Sequence, residues 1–225
     1  MQDIKEIREM AKKLFLHNIA NGQIRLKEEH MSNLEYLEYI LGEELRIRKL
    51  NRIKQYKKKS SLPDIKWKIR KKDDGSRWQI DEMMKLKFVK EESNIIITGN
   101  CQTGKTALAV MICTKAIENG SMVKYLWLDD FIGACRLSGK VKKYASVYKQ
   151  LTDADIIVID DFLYSDVSRE DLNLLYKSLM FFNESRSIIL ISNRSIHNWE
   201  SATDDKHLMK TLVDRIKNGS HIIML

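Results

Sequence analysis

The residues Gly99-Asn100-Cys101-Gln102-Thr103-Gly104-Lys105-Thr106 follow the pattern G-x-x-x-x-G-K-[ST]. Their chemistry is phosphate capture. Glycines at both ends let the backbone curl so that its N–H groups face phosphate oxygens. A helix opening at this point, through Ala107, adds partial positive charge at its N-terminus. Lys105 can then reach the β- and γ-phosphates of a nucleotide, and the Thr106 hydroxyl can ligate Mg²⁺. Cys101 serves through its backbone, and its thiol is incidental. Such a loop needs a strand before it and a helix behind it. The apolar run Asn94-Ile95-Ile96-Ile97-Thr98 precedes it, and Ala107-Leu108-Ala109-Val110-Met111-Ile112 follows.

Two further runs place polar residues at the ends of apolar strands. Ile156-Ile157-Val158-Ile159 ends in Asp160-Asp161. Beside a phosphate loop, Asp160 would hold Mg²⁺ directly or through water, and Asp161 would orient or deprotonate the attacking water. The bland alternative is a pair of solvated acids capping a strand. Asp161 is also one methylene shorter than the Glu that usually serves as base. Ile188-Ile189-Leu190-Ile191-Ser192 ends in Asn193-Arg194. Ligands of parallel sheets bind at the carboxyl ends of the strands, which would turn Asn193 toward the γ-phosphate. An ordinary Asn turn is the alternative.

The formal charge of +8 over 225 residues is unevenly placed. Residues 46–72 hold 13 basic side chains against Asp64 alone, a local net of +12 that leaves −4 for the rest. The basic residues include Arg46, Arg48, Lys49, Arg52, Lys54, Lys57, Lys58, Lys59, Lys66, Lys68 and Arg70. A one-signed excess of this size fits contact with nucleic-acid phosphates, and a solvated helix face is the competing reading. No apolar run reaches the length of a membrane span, and the first residues carry charge throughout, so the expected location is the cytoplasm. Cys101, Cys113 and Cys135 lack the spacing of a zinc site or disulfide framework.

Periodicity supplies the elements that must hold these groups. One helix is predicted over residues 3–20 and a second over about 32–58, opened by a capping box of Ser32 and Glu35. The second helix carries an apolar face of Leu34, Leu37, Ile40, Leu41, Leu45, Ile47, Leu50 and Ile53. Ser60 to Asp64, with Pro63, stops it. Residues 64–82, with Trp67 and Trp78, read as a polar linker. Helices and strands then alternate: a helix at 81–89, strand 94–98, a helix to Asn119-Gly120, strand 122–128 and a helix at 129–138. Strand 155–160, a helix at 168–183, strand 187–192, a helix at 206–217 and strand 222–225 complete the series. Continuous apolar strands between helices imply a parallel sheet covered on both faces. The predicted organisation is a helical N-terminal domain over 1–62, a basic linker over 63–79 and an α/β domain over 80–225.

Taken together, Gly99 to Thr106, Ile157 to Phe162, Ile189 to Arg194 followed by Trp199, and Leu212-Val213-Asp214-Arg215-Ile216 resemble the IstB/DnaC-like branch of the AAA+ ATPases. Met31 through Arg46 and on to Leu62-Pro63 is similar to the helical leader of the IstB transposition helpers. The resemblance implies a P-loop AAA+ fold, ATP and Mg²⁺ as cofactors, and hydrolysis of ATP to ADP and phosphate that is weak without DNA or partner. It also implies that Asn193 reads the γ-phosphate and that Arg215 is an arginine finger entering a neighbouring subunit's site. Taken alone, Arg215 reads as a surface charge at a helix C-terminus. The implied partners are duplex DNA, a transposase and further copies of the chain in an ATP-dependent oligomer. A replicative helicase loader of the DnaC type and an ATP-gated DNA-binding scaffold with negligible hydrolysis are the alternatives. Relatives carry another arginine and a helical lid beyond the position of Leu225, and here both are expected to be absent.

Overall fold

Asn94–Thr98 (β1), Ile156–Asp160 (β3) and Ser187–Ser192 (β4) are buried along their whole length. In the computed structural model, which describes residues 4–24, 31–65 and 74–225, they form the centre of a parallel sheet. Val123–Trp127 (β2) and Ser220–Met224 (β5) close its two sides, giving the order β2-β3-β4-β1-β5. Each buried isoleucine or leucine stabilises the sheet by about 1.5–3 kcal/mol, which is why these β-branched runs form strands. The register sets Thr98 beside Ser192 and Trp127 beside Asp160. β4 therefore lies between the strand that leads into the phosphate loop and the strand that ends in carboxylates.

The chain divides into two compact units, Met1–Gln55 and Tyr56–Leu225. In the first, the helix expected over 3–20 breaks in two, Ile4–Lys13 (α1) and His17–Ala20 (α2), because Phe15 takes a left-handed φ of 57°. The long helix Asn33–Ser60 (α3) starts on the expected capping box. Ser32 Oγ donates to Glu35 Oε2 at 2.8 Å, and the Glu35 N–H returns to Ser32 Oγ at 3.3 Å. Glu44 is the buried anchor of this unit. Its Oε2 accepts the backbone N–H groups of Asn18 and Ile19 at 3.1 and 3.2 Å, and its Oε1 pairs with Arg48 Nε at 2.8 Å. The apolar face predicted for α3 is largely on the surface: Leu34, Leu37, Leu41, Leu45 and Leu50 are exposed.

In the second unit, Asp74–Met84 (α4) and Lys87–Lys90 (α5) precede β1. The stretch read as linker to residue 82 thus includes most of a helix. Its polar composition hid the pair Ile80 and Met83, which are buried one turn apart. Helices Lys105–Glu118 (α6) and Leu128–Leu137 (α7) follow as expected. Lys142–Asp153 (α8) was not anticipated, although Tyr144, Val147, Tyr148 and Leu151 recur at helical spacing and pack on the core. Arg169–Asn183 (α9) is capped by Ser168 and Lys206–Lys217 (α10) by Asp205, whose side chains accept from Asp171 and Leu208 N–H.

A short 3₁₀ helix, Ile196–Ala202, carries the fully buried Trp199. Trp199 ties the ends of β3 and β4 together. Its Nε1 donates to Ser192 Oγ at 3.2 Å and to the Arg194 carbonyl at 3.3 Å, and its ring meets Phe162 edge-on at 4.9 Å. Ser192 Oγ in turn donates to the Phe162 carbonyl at 2.7 Å. Ser192→Ala takes this donor from the buried Phe162 carbonyl and leaves Trp199 Nε1 with the Arg194 carbonyl alone, at a cost of about 1–3 kcal/mol. Thermal denaturation should show a fall of roughly 2–4 °C per kcal/mol. The exposed neighbour variant Ser195→Ala should stay within about 0.5 kcal/mol of the parent. Equal melting temperatures for the two variants would refute the role given to Ser192.

Candidate functional site

The loop between β1 and α6 curls through three left-handed residues, Gly99 (φ 148°), Gln102 (φ 64°) and Gly104 (φ 98°). A Cβ on Gly99 would stand 2.0 Å from the Leu225 carbonyl oxygen, so only glycine fits there. Gly104 is the N-cap of α6 and supplies no side-chain acceptor. The first-turn N–H groups are therefore left as donors for an anion. Lys105 is buried, and its Nζ donates to the Asn100 carbonyl at 2.7 Å; Thr103 Oγ1 donates to the same oxygen at 3.0 Å. Burial pulls the Lys105 pKa below its ordinary value, against the opposing pull of Cys101, Asp160 and Asp161. Phosphate oxygens would add to the negative charge that Asp160 and Asp161 already present to this lysine.

Asp160 is almost wholly buried at the end of β3, yet every oxygen of its carboxylate has a donor. Oδ2 accepts from Thr106 Oγ1 at 2.9 Å and from the Tyr125 hydroxyl at 2.6 Å, and Oδ1 accepts the Asp161 N–H at 2.7 Å. With its proton committed to Asp160, the Thr106 oxygen keeps lone pairs to offer a cation. A hydroxyl and a carboxylate are hard oxygen donors that suit Mg²⁺. Among the described residues no group of three or more His, Cys, Asp or Glu is assembled for a metal. A cation here would complete its shell with phosphate oxygens and water, the usual arrangement for Mg²⁺ at a nucleotide.

Asp161 takes a left-handed φ of 52°, which turns it away from the strand line. Asn193 Nδ2 reaches its Oδ1 at 3.3 Å. Burial first, and the Asp160 charge second, raise the Asp161 pKa, while Lys105 opposes the rise. A carboxylate held up in this way is a better proton acceptor than a solvated one. Tyr125 is pushed well above the phenol range by burial and by Asp160, so it remains a neutral donor.

Cys101, Gln102, Gly104, Lys105, Thr106, Ala107, Asp160, Asp161 and Asn193 all line one cavity of about 380 Å³. Gly99, Asn100 and Thr103 build the loop beneath it. Ile65, Trp127 and Tyr125 were missed. Ile65 and Trp127 line the cavity, and Tyr125 stands behind Asp160. Two aromatic residues at alternate positions of β2, ending level with Asp160, were the available signal. Arg215 is not among the lining residues. It is exposed in the last turn of α10, its guanidinium carbon 5.6 Å from the Tyr176 ring centre. Arg194 pairs with Asp166 at 3.0 Å.

Of the predicted DNA-contacting residues, Lys49, Arg52, Lys54, Lys58 and Lys59 are exposed on α3. Three others have acidic partners: Arg46 pairs with Glu43 and Arg48 with Glu44, each at 2.8 Å, and Lys57 with Glu118 at 3.6 Å. Arg48 also donates to the Phe15 carbonyl, so its guanidinium is structural within the first unit. Lys66, Lys68 and Arg70 lie outside the described residues. No helix of the described residues is long and apolar enough to cross a membrane.

The same geometry has relatives. The ATP-binding protein of an IS21-like insertion sequence from Bacteroides fragilis is 27% identical over 230 residues, spanning 98% of this chain and 87% of that protein. The IS21 ATP-binding protein of Pseudomonas aeruginosa is 27% identical over 225 residues, spanning 91% and 85%. Among solved structures, the DnaC helicase loader superposes with a TM-score of 0.55 at 17% identity, covering 76% of this chain and 99% of that one. That likeness establishes the P-loop AAA+ fold. The family model described as IstB-like ATP binding protein matches residues 9–225, and the chain belongs to that family.

Proposed function

We propose that this protein is a Mg²⁺-dependent ATPase that assembles on duplex DNA and helps a transposase choose or engage its target. The observation that carries the reading is the convergence of Lys105, Thr106, Asp160, Asp161 and Asn193 on one cavity. Kinship with proteins of insertion sequences favours transposition over helicase loading. In this reading the loop amides and Lys105 hold the β- and γ-phosphates. Thr106 and Asp160 would hold Mg²⁺, which would supply charge neutralisation at the phosphates. Asp161 takes the proton of the attacking water as its oxygen bonds to the γ-phosphorus and the bond to the β,γ-bridging oxygen breaks. Asn193 fixes Asp161 and reads the γ-phosphate. Arg215 is offered to an adjacent copy, where it stabilises charge in the transition state. The domain organisation follows the same reading: a helical N-terminal part and a basic segment engage partner and DNA, and residues 80–225 carry ATP chemistry.

Nucleotide binding and phosphate release test the site. Lys105→Ala should abolish binding, since the phosphates lose their main point charge. Asp161→Asn should keep ATP affinity and lower turnover by about 10²–10⁴-fold. Parental hydrolysis rates in both variants would sink the assignment.

DNA affinity should be independent of sequence and fall with salt, with a log–log slope of about −0.9 per phosphate contacted. Reversing Lys54, Lys58 and Lys59 to Glu should weaken binding to all duplexes alike. An unchanged salt slope in that variant would show a solvated helix face.

A finger acts on the neighbour's nucleotide, so its loss must be felt in trans. Arg215→Ala should fold normally and bind ATP as the parent does, but hydrolyse it poorly. Mixing it with Lys105→Ala should restore part of the activity. Co-assembled mixtures no more active than either variant alone would mean that Arg215 acts within its own subunit or is structural.

A further inference from the structure

We propose that Tyr125 is a positioning residue for the divalent cation, acting through the carboxylate of Asp160. The inference rests on reading the cavity as a Mg²⁺·ATP site. Tyr125 lies on β2, which pairs with β3 so that Trp127 faces Asp160 and Tyr125 faces Val158. One pleat back on the same face, its phenol is long enough to reach Asp160 Oδ2, at 2.6 Å. Its ring meets that of Trp127 edge-on at 6.0 Å, and the residue is buried. Oδ2 thus has two donors, and they belong to different elements. Thr106 is itself a candidate cation ligand, on α6. The Tyr125 hydroxyl, by contrast, donates to the carboxylate and is not placed as a cation ligand.

That division assigns the roles. Thr106 and Asp160 present oxygens to the cation, and Tyr125 fixes which way the Asp160 carboxylate faces. Side chains that orient a metal-binding carboxylate typically contribute tenfold to a hundredfold in metal affinity. Phenylalanine would fill the same space and leave Oδ2 with Thr106 alone. The carboxylate would keep Thr106 and the Asp161 N–H but lose its shortest donor, and the cation would meet a less firmly oriented ligand.

The test compares the parent with Tyr125→Phe, using a fluorescent non-hydrolysable ATP analogue. Binding is measured without metal and across a Mg²⁺ titration, then with Mn²⁺ followed by electron paramagnetic resonance. Tyr125→Phe should hold the metal-free analogue within about twofold of the parent and need at least about tenfold more cation for half-saturation. A parental cation midpoint in Tyr125→Phe would overturn the inference and leave the Mg²⁺·ATP reading standing. A parent whose binding ignores Mg²⁺ would overturn both. Circular dichroism checks that the variant folds. Independently of any variant, the buried Tyr125 hydroxyl proton of the parent should shift in the NMR spectrum when Mg²⁺ joins the bound analogue. A resonance unmoved by the cation would also overturn the inference.

Discussion

A carboxylate cannot end a buried strand unless donors are brought to it. Asp160 follows four apolar residues into the interior of the sheet, where an unpartnered charge would cost several kcal/mol. The chain meets that demand from three directions: Thr106 on the helix behind the phosphate loop, Tyr125 on the neighbouring strand, and the Asp161 amide in the turn. Satisfying one acid therefore fixes the distance from loop to strand end, the seating of β2 on β3, and the left-handed turn that aims Asp161. The polar site and the apolar core solve the same problem.

Strand order does the rest of the positioning. Because β4 pairs with β1 on one side and β3 on the other, the residue that follows it emerges between loop and carboxylates. That residue is Asn193. Its neighbours hold it there. Ser192 and Trp199 bind the turn after β3 to the turn after β4, and Phe162 N–H closes onto the Ile191 carbonyl at 2.8 Å. The combination of Ser192, Asn193, Arg194 and Trp199 is thus mainly a clamp. One member faces the nucleotide cavity, and the others keep it facing that way.

Most of the α/β unit was legible because its signals are local. Unbroken isoleucine runs announce buried parallel strands, and glycines with Lys105 and Thr106 announce the loop. What escaped depends on pairing between distant segments. Tyr125 looks like any strand aromatic until β2 is set against β3. α4 was hidden by polar residues, with Ile80 and Met83 its buried apolar side chains among the described residues. The break at Phe15 and the burial of Glu44 were likewise invisible, since the acid is explained by the backbone amides of a helix far from it in sequence. For the same reason Arg48, counted among DNA-facing charges, proved to be engaged by Glu44.

The pairing of β1 with β5 also sets a timetable. Asn94 to Thr98 lie against Ser220 to Met224, the last of the five strands to be translated, and the Leu225 N–H donates to the Thr98 carbonyl at 2.8 Å. A nascent chain carrying β1 to β4 therefore has an open edge beside its phosphate loop. Closing a contact of such sequence separation is slow, and until then that edge can template pairing with another chain.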